Sequence, residues 1–196
     1  MISPHPNTRR LWQYVMMPTL PPMPDRSPQS VLESPPRAPE AWWVLRTKPR
    51  QEKKLVRWLG KAALPYYLPL RRRVRNWRGR RIKSEEPLLA GYVFMRGDEG
   101  QSARTFSSGA VVERLPVKSA ATLYSELKAL DTLCSLQREL RELPGVIEGR
   151  EVELLAGPMK GLRGIVTQSR ASFVVRLEIL GRVLEVALDP AEVEPL

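Results

Sequence analysis

Apolar and polar positions along this chain follow helical spacing in its middle and a two-residue alternation near its end. Ala41 to Thr47 (Ala-Trp-Trp-Val-Leu-Arg-Thr) is strand-forming by residue type. Pro49 suits the first turn of a helix, and Leu55, Val56, Trp58, Leu59 and Ala62-Ala63 then recur at helical spacing with Arg and Lys between them. This predicts an amphipathic helix over 50–64. Tyr66 to Trp77 reads as a strand, Arg78-Gly79 as a turn and Arg80 to Glu86 as the return strand. Gly91 to Arg96 is a further strand, Asp98 to Ser107 a short polar helical segment, and Val111 to Val117 a strand that loses regularity at Pro116. Leu123, Leu127, Leu130, Leu133, Leu136 and Leu140 step by three and four, predicting one long helix over Ser119 to Leu143 that Pro144-Gly145 ends. The order predicts an α+β fold: a mainly antiparallel N-terminal sheet with flanking helices.

After Gly145 the rhythm changes. Arg150 to Leu155 alternates at period two, a glycine-punctuated turn spans Gly157 to Gly164, and Ile165 to Gln168 forms a strand. Ser172 to Leu180 alternates with Phe173, Val175, Leu177 and Ile179 on one face; Gly181-Arg182 turns the chain and Val183 to Leu188 returns. Asp189 to Val193 fits a capped helical turn. Short strands at such intervals predict a small all-β barrel. The expected domains are a leader over 1–39, an α+β domain with its trailing helix over 40–140, a linker over 141–148 and the barrel over 149–196.

Composition changes the picture at two places. Residues 1–39 hold ten of the nineteen prolines, so neither a helix nor a sheet ladder is expected there, and the segment reads as disordered or extended. Leu11, Trp12, Tyr14 and Val15 are apolar within it, and Met16, Met17 and Met23 leave open a later translation start. The second place is the hairpin. Net charge is +11 and the pI about 10.3, which favours an anionic partner. Eight of the basic residues fall between Arg71 and Lys83 with no acid among them: Arg71, Arg72, Arg73, Arg75, Arg78, Arg80, Arg81 and Lys83. Like charges on adjacent strands repel, so folding alone gives little reason for this density. A DNA or RNA backbone supplies one, through charge and counterion release. Trp77 near the tip either stacks on a base or covers the hairpin end.

Several chemistries are excluded. Cys134 is the only cysteine and His5 the only histidine, so an intrachain disulfide, a Cys/His metal site and a His-paired nucleophile have no material. No Gly-rich phosphate loop with its lysine is present, and Asp98, Glu99 and Asp131 are scattered acids without a paired base. We expect no enzyme activity, catalytic residue, cofactor or metal. No apolar run reaches membrane-spanning length, and the start makes a poor signal peptide. The expectation is a cytoplasmic protein, monomeric, without membrane contact.

The chain pivots on Ser84-Glu-Glu-Pro-Leu-Leu-Ala-Gly-Tyr-Val-Phe-Met95, a loop feeding a strand. Pro87 is expected to stop pairing upstream and Gly91 to permit a turn. Leu88, Leu89 and Ala90 are apolar in a loop-like context, either a docking patch or part of the core.

Two stretches together resemble the NusG/RfaH family of bacterial transcription factors. The first carries Trp42-Trp43-Val44-Leu45, Lys48, the basic hairpin, Ser84-Glu85-Glu86-Pro87-Leu88 and Gly91-Tyr92-Val93-Phe94. The second resembles the KOW domain, an SH3-like barrel, through Gly157-Pro158-Met159-x-Gly161-x-x-Gly164, Ile179-Leu180-Gly181-Arg182, Leu188-Asp189 and Val193. The resemblance implies a non-enzymatic elongation or antitermination factor that docks on the clamp helices of the large RNA polymerase subunit, bridges the DNA cleft and suppresses pausing. It implies polymerase contact at Arg46, Leu88, Leu89, Ala90 and Tyr92, with Leu89-Ala90-Gly91-Tyr92 replacing the family's Phe-Pro-Gly-Tyr. Ser102-Ala103-Arg104-Thr105 stands where RfaH-type members touch the far side of the cleft, and departs from their hydroxyl-rich pattern. For the KOW domain it implies a second partner, Rho or NusE and thereby the ribosome, held at Ile179, Leu180 and Arg182. General factor and operon-specific paralogue both fit. The rival reading is a KOW-type RNA-binding or ribosome-associated protein without polymerase contact.

Overall fold

The computed structural model describes residues 24–136 apart from Arg78, together with 140–143, 150–154, 160, 162–167, 172–177 and 182–187. Its first sheet is antiparallel and mixes strands distant in sequence. It comprises β1 (Arg26–Ser27), β2 (Ala41–Thr47), β3 (Tyr66–Tyr67), β6 (Tyr92–Gly97) and β7 (Val111–Leu115), in the order β1-β3-β6-β2-β7. Helices cover both faces. On one, Leu55, Val56 and Leu59 of α1 (Glu52–Lys61) pack against Leu45, Val93 and Met95. On the other, Leu123, Leu127, Leu130 and Leu133 of α3 (Ala120–Ser135) pack against Trp42, Val44, Tyr67 and Phe94. The period-two strands feed both cores, as their alternation requires. A short helix α2 (Glu99–Arg104), closed by a reciprocal Asp98/Gln101 capping box, lies between β6 and β7.

Four expectations need correction. The leader expected to run to residue 39 is a docked strap from Pro24 onward: β1 pairs with β3, and Val31 and Leu32 are buried in the α3-side core. Arg26 makes the strap's polar anchor, donating to Asp131 of α3 and to Asp25, with its guanidinium 5.1 Å from the Tyr67 ring centroid. Two apolar side chains and a paired arginine hold a segment whose proline content argued for disorder. The strand read over Tyr66 to Trp77 is broken at Leu68-Pro69, so β3 stays in the main sheet while β4 (Leu70–Trp77) leaves it. Pro69 has no amide hydrogen to continue the ladder, and the Leu68 N–H is satisfied by the Asp25 carbonyl at 2.6 Å. Pro87 ends β5 (Arg80–Pro87) from within: it faces Leu70, and the next amide, that of Leu88, donates to the Pro69 carbonyl at 2.8 Å.

The fourth correction concerns the long helix. α3 ends at Ser135, and Leu140–Leu143 is instead strand β8, paired with β12 (Arg182–Ala187). The leucine stripe alone could not anticipate a strand partner more than forty residues away, and that tertiary pairing overrides the helical spacing. The linker expected from 141 therefore begins inside a strand. β8, β9 (Arg150–Glu153), β10 (Arg163–Thr167), β11 (Ser172–Leu177) and β12 form a second antiparallel sheet in the order β8-β12-β11-β10-β9. Leu154, Leu184 and Val186 are buried in the same apolar cluster as the α3 face. The helical turn expected over 189–193 lies outside the described residues. Among the described residues no helix is long and apolar enough to cross a membrane.

Cys134 of α3 packs against this cluster, and desolvation pushes its thiol up to about 12. At mildly alkaline pH the thiolate is then depleted, so native protein is expected to alkylate with iodoacetamide roughly 10²–10³-fold more slowly than denatured protein. Equal rates in both states, followed by mass spectrometry, would place this thiol in water.

Candidate polymerase and nucleic-acid interfaces

The loop between β5 and β6 is a tight turn with a built-in latch. The Tyr92 N–H donates to the Leu89 carbonyl at 3.3 Å, and Gly91 at the third position has φ +84°. A type II turn requires that left-handed conformation, which glycine adopts without strain. The buried Glu52 carboxylate of α1 accepts the Gly91 N–H at 2.6 Å, and the Gly91 carbonyl accepts the Thr47 N–H at 2.8 Å. Helix α1 and strand β2 thus fix the turn from two sides.

This geometry divides the five expected polymerase contacts. Leu88 and Leu89 are 1 % and 0 % exposed and belong to the α3-side core, so they are packing residues in this conformation and not an open docking patch. Their apolar character has the bland explanation, because the turn aims them under the sheet. Ala90 is exposed at the turn's crest. Tyr92 lies directly across from Arg46, and Arg46 from Glu113 on β7, so the three form a row on one face of the sheet. Arg46 and Glu113 pair at 2.8 Å with side chains 48 % and 46 % exposed, so they hold each other in solvent and contribute little stability. Tyr92 is partly buried, with Arg182 stacked over it, 5.0 Å from the ring centroid.

Arg182 was expected to serve a second partner. Here it touches the first domain. Ile179 and Leu180, expected beside it, lie outside the described residues. In the segment 102–105 Ala103 and Arg104 are exposed while the two hydroxyl residues turn inward: Ser102 and Thr105 are fully buried, Ser102 Oγ accepts from Arg114 at 2.7 Å, and Thr105 Oγ1 donates to the Ser102 carbonyl at 2.6 Å. Those hydroxyls are occupied within the domain.

β4 and β5 form a two-stranded sheet of their own. Eight residues at about 3.3 Å each make an arm of about 26 Å. At its root Arg73 pairs with Glu86 at 3.1 Å, Arg71 lies 4.0 Å from the same carboxylate, Arg72 sits opposite Glu85, and Lys53 Nζ donates to the Glu85 carbonyl at 2.7 Å. Towards the tip no acid follows. Val74, Trp77 and Ile82 are 49 %, 59 % and 46 % exposed, and Arg80, Arg81 and Lys83 are exposed as well. Arg75 takes the register position opposite Ile82, and Gly79 turns the tip with φ +75°; Arg78 lies outside the described residues.

The model of a family described as transcription termination factor nusG matches residues 40–122. Residues 40–122 belong to the NusG family. The matched region holds β2 to β7 with the hairpin and the first residues of α3, and does not reach the second sheet. NusG-family domains act in transcription, and the family implies RNA polymerase as a partner in general. No curated protein matches the chain. The strap residues Arg26, Val31 and Leu32 fell inside the segment read as a disordered or extended leader, and the match also leaves them out. An apolar pair ringed by prolines was the available signal.

Proposed function

We propose that this protein is a non-enzymatic elongation or antitermination factor that binds the RNA polymerase clamp helices and suppresses pausing. The observation that carries the reading is the row Tyr92–Arg46–Glu113 beside the exposed crest at Ala90, at the end of a sheet face that α3 otherwise covers. It presents an aromatic ring and an arginine, residue types that anchor interfaces, beside a small apolar crest. Leu88 and Leu89 support this surface from beneath. The basic arm is proposed to contact the nucleic-acid backbone near the polymerase cleft. The second sheet is proposed as a KOW domain that recruits a further factor, Rho or NusE, through Ile179, Leu180 and Arg182.

The test is capture of the isolated clamp helices by the full-length chain. Wild type binds; Tyr92→Ala combined with Ala90→Asp weakens binding about tenfold or more, the equivalent of about 1.4 kcal/mol. Because Tyr92 is shielded by Arg182, Arg182→Ala is expected to raise affinity about 2–5-fold. Absence of wild-type binding, with RNA binding intact, would favour the RNA-binding or ribosome-associated reading instead.

A further inference from the structure

The turn that carries the exposed crest has one peptide whose orientation the domain interior decides. In Leu89-Ala90-Gly91-Tyr92 the central peptide joins Ala90 to Gly91, and it is trans. Type I and type II turns follow nearly the same path and differ mainly by a rotation of that central peptide of about 180°. With Gly91 at φ +84° the turn is type II. What holds it there is Glu52, the first residue of α1 and only 6 % exposed, which accepts the Gly91 N–H at 2.6 Å. The first turn of a helix suits a carboxylate, because free backbone N–H groups gather there. A flip to type I would swing the Gly91 N–H away from Glu52 and cost a buried carboxylate its donor. The Gly91 carbonyl is tied as well, to the Thr47 N–H at 2.8 Å.

That lock sets the direction of the Ala90 carbonyl. In a trans peptide the carbonyl points opposite to the N–H. The Gly91 N–H points inward to α1, so the Ala90 carbonyl points outward, from a residue that is itself exposed. Tyr92 and Arg46 lie next to it across the β2–β6 ladder. We propose that Glu52 is the positioning residue of this surface: by locking the Ala90–Gly91 peptide it turns the Ala90 carbonyl outward as a hydrogen-bond acceptor for a donor side chain of the partner helices. The proposal rests on the polymerase reading above and adds to it a residue that never touches the partner. An α-helical partner spends its interior backbone N–H groups on its own carbonyls, so side chains must supply the donor to this acceptor. Lys, Arg, Asn and Gln each carry one.

The experiment measures the affinity of the full-length protein for the isolated clamp helices and the urea midpoint of each variant. The turn itself is read by NMR, where type II gives a strong contact between the Ala90 Hα and the Gly91 amide proton and type I a weak one. Glu52→Ala should lose the strong contact and bind about 3–10-fold more weakly, under conditions where its circular dichroism is native. Glu52→Gln keeps an acceptor oxygen at the same reach, so it should keep the type II signal and bind within about twofold of wild type. A second pair decides the matter if Glu52→Ala does not fold. A Cβ at Gly91 meets only the Thr47 carbonyl oxygen, at 4.0 Å, so the left-handed φ and not space limits that position. Gly91→Asn, which tolerates the left-handed region, should therefore bind more tightly than Gly91→Ala, although asparagine is the larger residue. Glu52→Ala that keeps the type II signal, or that loses it with affinity unchanged, overturns the proposal and leaves the polymerase reading standing. Equal weakening by Glu52→Ala and Glu52→Gln, or equal binding by the two Gly91 variants, does the same. Absence of wild-type binding overturns both.

Discussion

Replacing Leu89 with Asp is expected to unfold this protein and not merely to block a partner. Leu89 is fully buried among Leu88, Phe94 and the leucines of α3. Removing its side chain in Leu89→Ala should cost about 2–5 kcal/mol through lost burial and the cavity left behind. Placing a carboxylate there adds a desolvation penalty of several kcal/mol with no partner to offset it. Typical domain stability is only about 5–15 kcal/mol, so Leu89→Asp should reach or exceed it. Circular dichroism and urea unfolding decide the matter: Leu89→Ala should show a lower midpoint with intact native spectra, and Leu89→Asp little folded protein. A folded Leu89→Asp with the wild-type midpoint would show that Leu89 lies outside the core. Any loss of polymerase binding in that variant is uninformative unless folding is measured first. Ala90→Asp is the proper surface probe, because Ala90 is exposed one residue further on.

That contrast shows where the sequence was readable and where it was not. The elements β2, α1 and β6 announce themselves because burial follows their own periodicity: Leu55, Val56 and Leu59 repeat at helical spacing, and Tyr92 to Met95 alternate between the two cores. The hairpin was legible from its charge and its Arg78-Gly79 turn. What remained open was decided by contacts distant in sequence. Leu88 and Leu89 read equally as ledge or core, and only the latch from Glu52 and Thr47 turns them inward. Leu140 continues the α3 stripe in sequence, yet its backbone joins β12. Glu85 and Glu86 read as the start of a loop, while the register makes them counterions for the arm's root. In each case the local pattern was correctly apolar or correctly charged, and the partner supplied the meaning.

The strap yields the second large effect. Arg26→Ala is expected to destabilise the protein by about 2–3 kcal/mol, since it removes a charge-assisted, largely desolvated interaction. The Arg26 side chain is 12 % exposed, pairs with Asp131 and Asp25, and lies against the Tyr67 ring. Its guanidinium is held protonated above its ordinary range, chiefly by the hydrogen bonds it donates to Asp131. Arg26→Lys should recover only part of the loss, because a point charge cannot reproduce the planar fork on Asp131. Arg26→Ala and Asp131→Asn should be strongly non-additive in urea unfolding, with a coupling of about 1–3 kcal/mol, as expected for groups in direct contact. Additive effects would mean that the pair does not hold the strap. The consequence reaches the domain boundary. The family match begins at residue 40, but Val31 and Leu32 lie in the α3-side core, and Tyr124 of α3 donates to the Leu32 carbonyl at 3.0 Å. A chain started at Glu40 would expose Leu123 and Leu127 where the strap lay. It should melt at a lower midpoint than Arg26→Ala, because it loses the buried pair and the apolar cover together.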